Sequence, residues 1–231
     1  MKIVRVGSVA STQELARSHP IGTAVVADHQ ELGRGRLGRR WEAPPGTALL
    51  ASFVMPFYPL APLVAGVAAA AASGPEVRLK WPNDLLLGGR KLGGILVEAS
   101  GERCLVGIGI NLSWAPPGAA LLGTERELLL ARLVAELEGW WVVAAAEVLE
   151  AWRARSDTLG RRVRVELGAE TFEGVAEDIA ADGSLVVGGR TVAAGDVTHL
   201  RVVGPRAGTE DSVSRWLGAA GEGEERRRAQ P

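Results

Sequence analysis

The chain has 231 residues, 47% of them hydrophobic and 23% charged, which suits a soluble globular protein with one medium and one small domain. Its 26 basic and 27 acidic side chains leave a net charge of −1, so it lacks the basic surplus of a general nucleic-acid binder. The single cysteine, Cys104, excludes a disulfide framework and a cysteine-rich zinc site, and His19, His29 and His199 lack metal-ligand spacing.

Residues 2 to 6 (KIVRV) predict a short strand. No signal-peptide apolar region follows the first methionine, so a cytoplasmic protein is expected. Ser11-Thr12-Gln13-Glu14 carries a capping-box signature that starts a helix near residue 12. Residues 23 to 28 return to strand character. Residues 33 to 41 then read GRGRLGRRW, with no apolar period of either kind. Glycine lets backbone approach a ligand closely, and arginine offers forks that match phosphate and carboxylate. This loop is therefore expected to close over a small anion, although such a loop taken alone is more often a solvated surface loop or a nucleic-acid contact. Residues 47 to 54 are β-prone. Pro59 and Pro62 open an alanine-rich helix that ends before Ser73-Gly74-Pro75. Its apolar stretch is too short to span a bilayer.

Residues 76 to 80 predict a strand, broken by Trp81-Pro82-Asn83-Asp84. Residues 84 to 87 and 91 to 99 flank the hairpin signal Gly88-Gly89-Arg90, and residues 103 to 111 follow. This middle third reads as an antiparallel meander. Thr124 to Glu127 forms a second capping box, opening a helical region to about residue 155 with a break near Gly139. Residues 161 to 203 hold five short β-like pieces with glycine punctuation, the pattern of a small barrel. Residues 206 to 231 predict a disordered tail. The expected domains are 1–157, 158–205 and that tail.

Polar motifs gather at the ends of the predicted strands, where sites concentrate. They are Ser11-Thr12, Gln30 with the arginine loop, the run from Lys80 to Asp84, Lys91 before Gly93-Gly94, and Gly107 to Asn111. Arg34, Arg36, Arg39, Lys80 and Lys91 are cationic. Asn83 and Asp84 are hard oxygen donors suited to Mg²⁺ that keeps waters and substrate phosphates. The set fits polyphosphate chemistry, yet no GxxxxGK[ST] loop occurs. Gly33, Gly35 and Gly38 spell GxGxxG without a following helix start, a poor dinucleotide fingerprint.

Gln30 followed by GRGRLGRRW, KWPNDL, KLGGILVE and GIGINL, in this order, resembles the biotin protein ligase family. The resemblance covers about residues 5 to 203. It implies an α+β fold: a catalytic domain like that of class II aminoacyl-tRNA synthetases, with a mixed sheet and flanking helices, plus a small SH3-like C-terminal barrel. It implies activation of biotin with Mg-ATP to biotinyl-5′-AMP, then transfer to a lysine of a carboxylase's biotin carboxyl carrier domain. By the same resemblance, Ser11, Thr12, Gln30, Gly33, Arg34, Arg36, Lys91, Gly93 and Gly94 bind biotin. Arg36, Arg39, Trp41, Lys80, Asn83, Lys91 and Asn111 serve ATP. Arg36, Lys91 and Asp84 form the catalytic set, and Asp84 takes Mg²⁺. Arg201 is a further nucleotide candidate. Some relatives carry an N-terminal DNA-binding domain; this chain starts on the first catalytic strand, so no DNA or membrane partner is expected. An exposed sheet edge offers a route to a homodimer. Two rivals stand beside this reading: a lipoate–protein ligase with the same adenylation logic, and a non-enzymatic protein that holds nucleic acid through the loop.

Overall fold

The structure, a computed structural model, describes residues 1 to 193 and 195 to 199; Arg201 and the expected tail lie outside them. Seven strands form one mixed sheet: β1 (Lys2–Val9), β2 (Thr23–Gln30), β3 (Ala48–Pro56), β4 (Arg78–Lys80), β5 (Asp84–Leu87), β6 (Arg90–Ser100) and β7 (Arg103–Asn111). Their order is β1-β2-β3-β7-β6-β5-β4. β1 and β2 are parallel, joined through the short helix α1 (Thr12–Ala16), and every other pair is antiparallel. The β4 to β7 stretch is a meander, and Gly88 and Gly89 turn its tightest hairpin with φ of 58° and 72°, where a side chain would strain the backbone.

Strand alternation sorts this sheet into two faces. Leu49, Ala51, Phe53, Val106, Ile108 and Ile110 point into the main core. Helix α2 (Ala61–Ser73) lies in that core and packs against β4 to β7. Ten of its residues are buried, which explains why its sequence is apolar all round. Burying Leu63, Val64 and Val67 contributes about 1.5–3 kcal/mol each. Helices α3 (Arg126–Trp140) and α4 (Ala145–Arg155) pack on α2 from outside. On the opposite face Ala16 of α1, with partly buried Leu15, covers Val25, Val54 and Leu105. Beyond α1 this face is covered in part by Ala43, Trp41 and Trp114 over Ala48 and Leu50, and the polar motifs collect around the cavity left between them.

Helix α1 starts at Thr12 as expected and α3 within the second signature, but neither is capped as expected. Ser11 is the N-cap residue of α1, but its side chain makes no cap bond. Helix α3 begins at Arg126 with Glu125 as N-cap, again without a side-chain cap, so Thr124 does not serve as one. Gly139 sits inside α3; the break falls after Trp140, because buried Leu133 and Leu137 hold the last turns in place against the cost of about 1 kcal/mol for a helical glycine.

Beyond α4, β8 (Arg162–Leu167), β9 (Glu170–Ile179), β10 (Leu185–Val187), β11 (Arg190–Val192) and β12 (Asp196–His199) form a second, antiparallel sheet in the order β11-β10-β9-β8-β12. Among the described residues no β11–β12 ladder closes it into a barrel. No helix among them is long and apolar enough to cross a membrane.

Candidate active site

A cavity of about 260 Å³ opens on the partly covered face of the seven-stranded sheet. Its floor follows from strand register. Ser52 on β3 pairs with Gly107 on β7, which pairs with Leu96 on β6; one row along, Gly109 pairs with Gly94, and Gly94 with Asp84. The run Gly107-Ile108-Gly109-Ile110 thus places isoleucines in the core and bare backbone under the cavity. Both glycines are required by close approach. A Cβ on Gly107 would stand 2.7 Å from Gln13 Oε1, and one on Gly109 would stand 2.7 Å from Trp41 Cε2.

One end of the cavity is uncharged and rich in hydrogen bonds. Thr12 donates to Gln30 Oε1 twice, from its backbone N at 2.7 Å and from Oγ1 at 2.9 Å. Thr12 Oγ1 lies 2.8 Å from Ser52 Oγ, and Ser52 donates to Gln13 Oε1 at 3.0 Å. Gln13 in turn donates to the Leu105 carbonyl at 3.1 Å. Ser11, Thr12, Gln13 and Ser52 are buried, so the network holds its donors and acceptors in fixed positions.

The other end is cationic. Lys91 Nζ reaches Asp84 Oδ1 at 2.7 Å. A register shift between Leu85 and Leu86, a β-bulge, lies beside Lys91 on β5–β6, the device that re-aims side chains next to sites. Arg36 Nη1 donates to Asn83 Oδ1 at 3.4 Å, while Asn83 Nδ2 donates to the Ile95 carbonyl at 2.8 Å. Burial pushes both the Arg36 guanidinium and the Lys80 ammonium below their ordinary values, with Asp84 opposing the shift in each case. Arg39 and Lys91 lower Lys80 further by repulsion. Such crowded, partly desolvated cations favour an incoming anion. Arg39 itself pairs with Asp196 of β12, bringing the second sheet to the cavity mouth.

The arginine loop is folded back as a narrow hairpin. Arg34 and Arg40 form an antiparallel bridge, Trp41 N donates to the Gly33 carbonyl at 3.0 Å, and Gly35 N donates to the Arg39 carbonyl at 2.7 Å. A single 3₁₀ turn at Arg36–Gly38 caps it, with exposed Leu37 at a left-handed φ of 55°. The loop delivers Trp41 onto Gly109 and Gly94, with Lys91 Nζ 6.0 Å from the ring centroid. Trp41 Nε1 is buried and finds no partner among the described residues, a costly state for an indole donor.

The cavity wall therefore brings together Ser11, Thr12, Gln30, Arg34, Arg36, Arg39, Trp41, Lys80, Asn83, Asp84, Lys91 and Gly94. Three expected residues are not on it. Gly93 shares the core face with Ile95, where a Cβ would meet Gly109 O at 2.6 Å and Leu85 Cδ1 at 3.1 Å, so strand parity turns it away from the cavity. Gly33 packs on the Trp41 carbonyl, 2.3 Å from a hypothetical Cβ. Asn111 is buried and donates to the Ala120 carbonyl at 3.0 Å, tying down the loop after β7. Sequence reading missed Gln13, Ser52, Glu166, Asp196 and Thr198, all on the wall. Ser52 alone left a signal, as a polar residue inside an apolar strand. Among the described residues no three His, Cys, Asp or Glu side chains gather to hold a metal.

The profile of the Biotin/lipoate A/B protein ligase family matches residues 8–114, and that of the Biotin protein ligase C terminal domain matches residues 158–200. A biotin–[acetyl-CoA-carboxylase] ligase of Mycobacterium tuberculosis is 38% identical, over 78% of this chain and 80% of that one. A biotin protein ligase from Aquifex aeolicus in complex with biotin and ATP superposes with a TM-score of 0.76 at 26% identity, covering 87% of this chain and 99% of the other. A Leishmania major biotin protein ligase in complex with biotinyl-5-AMP superposes with a TM-score of 0.63 at 26% identity, covering 87% and 98%. The chain belongs to the biotin protein ligase family.

Proposed function

We propose that this chain is a biotin–[carboxyl carrier protein] ligase. The observation that carries the reading is one continuous cavity with a neutral hydrogen-bonding end at Thr12, Gln30 and Ser11 and a cationic end at Arg36, Lys80 and Lys91. Biotin has the same polarity, with a neutral ureido ring at one end and a carboxylate at the other.

In the first step a biotin carboxylate oxygen attacks the α-phosphorus of ATP and pyrophosphate leaves. In the second, the amine of a carrier lysine attacks the acyl carbon, AMP leaves, and the amine sheds a proton. Anion must meet anion in the first step, so cations at the reacting centre and accurate positioning supply most of the acceleration. Lys91 is assigned to bridge the biotin carboxylate and α-phosphate, with Arg36 on the same groups. Lys80, Arg39 and Asn83 face the remaining phosphates, and Arg34 borders the ligand. Trp41, with its unspent Nε1 donor, lies over the glycine floor and excludes water from the anhydride. Gly94 lines the channel, while Gly33, Gly93 and Asn111 support the wall from behind.

Mg²⁺ fits as an ion carried in on the phosphates rather than one caged by protein. Asp84 is the hard-oxygen donor beside the cations, with Asn83 next to it, and its Oδ1 would have to share with Lys91. Bound there, the ion would neutralise phosphate charge. Dependence on ATP is the reason to expect a cytoplasmic protein. The open outer edge of β1 is where a second copy would pair.

The test is mass spectrometry of a carboxylase carrier domain incubated with this chain, biotin and Mg-ATP. One biotin on one lysine is expected. An unmodified carrier, or equal modification with lipoate, contradicts the proposal.

A further inference from the structure

The turn that carries Lys80, Asn83 and Asp84 is not held by its own sheet alone. Leu79 on β4 bridges Ser156 as a parallel partner, and Asp157 N donates to the Leu79 carbonyl at 2.7 Å. The next backbone donor, Trp81 N, goes to a side chain: Thr158 Oγ1 at 2.9 Å. Thr158 is fully buried. Its Oγ1 also lies 3.2 Å from His199 Nε2, and His199 Nδ1 lies 3.5 Å from Asp157 Oδ2. With the imidazole proton on Nδ1, every group is satisfied in one direction. Trp81 N–H donates to Thr158, the Thr158 hydroxyl donates to His199, and the imidazole N–H faces the Asp157 carboxylate.

None of these three side chains lines the cavity. The relay nevertheless ends on the backbone that aims two of its cation-side residues, Lys80 and Asn83, and the carboxylate paired with Lys91. We infer that Thr158 and His199 are positioning residues for the ATP end of the site, fixing the Lys80–Asp84 turn through the Trp81 amide; this rests on the ligase reading above. A hydroxyl at 158 is required because the Trp81 amide is buried and would otherwise be orphaned. A hydrogen-bond acceptor at 199 is required to orient that hydroxyl. The charged groups facing the imidazole are Asp157, Lys80 and Arg161. A second proton on His199 would therefore turn Nε2 from acceptor to donor and set a cation near Lys80 and Arg161.

The test uses the full chain. ATP saturation of biotin-dependent pyrophosphate exchange is measured for wild type, Thr158→Val, Thr158→Ser and His199→Leu, with biotin binding followed by calorimetry. Thr158→Val is expected to raise KM for ATP about tenfold while leaving the biotin Kd within about twofold, and Thr158→Ser to restore KM. His199→Leu should raise the same KM, add little to Thr158→Val, and abolish the rise in KM expected of wild type as acid protonates the imidazole. Wild-type KM in Thr158→Val overturns the inference. So does a parallel loss of biotin affinity, which would make Thr158 a general fold support. Absence of exchange in the wild type would instead overturn the ligase reading itself.

Discussion

Lys91 Nζ and Asp84 Oδ1 stand 2.7 Å apart beside the β-bulge of the β5–β6 hairpin, in the cationic end of the cavity. The pair is partly exposed, so it adds little to stability. On the proposed assignment it holds the lysine extended toward the place where carboxylate and phosphate would meet. Lys91→Met should lower kcat/KM for adenylation by about 10²–10³, the scale of losing one preorganised donor at a developing charge. Circular dichroism should show an intact fold. Rates within a few-fold of wild type would remove Lys91 from the reacting centre.

Gly109 and Trp41 form a second coupled pair. A methyl at 109 would sit 2.7 Å and 2.9 Å from Trp41 Cε2 and Cζ2, closer than real Cβ atoms come. The loop is the more yielding side, so Gly109→Ala should lift Trp41 off the floor. Overpacking of this kind costs about 1–3 kcal/mol, which should appear as a tenfold or greater loss of biotin affinity in calorimetry, with a blue-to-red change in tryptophan emission as the ring becomes exposed. Unchanged affinity would show that the ring's place on the glycine floor is irrelevant to ligand binding.

Arg39 is held by Asp196 before any phosphate arrives. Removing that competitor should favour ATP. Asp196→Asn should lower KM for ATP by up to about fivefold at low salt, and the advantage should shrink at high salt because Arg39 is largely exposed. A rise in KM would show that Asp196 aims the guanidinium rather than occupying it.

Lys80 gives a pH dependence of defined sign. Burial holds its pKa below the ordinary 10.5, and phosphate favours its charged form. ATP affinity should therefore be full at neutral pH and fall as pH rises through the lowered value, earlier than for an exposed lysine. Binding in that alkaline range should take up protons, read as buffer-dependent heats. Lys80→Arg should flatten the profile. A flat profile in wild type would contradict the assignment.

Much of this was legible in sequence because strand period and site coincide. The alternation in Gly107-Ile108-Gly109-Ile110 separates floor from core, and the order of polar strand ends around one sheet face survives in the fold. What was illegible depends on register or distance. Gly93 and Gly94 are adjacent letters, yet parity sends one into the core and one to the cavity. Gln13 reads as an ordinary helix residue until β7 is known to pass beneath it. Asp196 and Thr198 belong to a sheet more than a hundred residues away from the arginine loop, and no local pattern announces that packing. Both capping-box signatures marked helix starts, but neither hydroxyl caps; Ser11 and Thr12 instead face the cavity.

The most direct measurement is exchange of labelled pyrophosphate into ATP by the purified chain. The cavity's two-ended polarity predicts exchange that requires biotin, saturates with it, and is not supported by lipoate. Exchange without biotin, exchange driven equally by lipoate, or none under any condition would contradict the account.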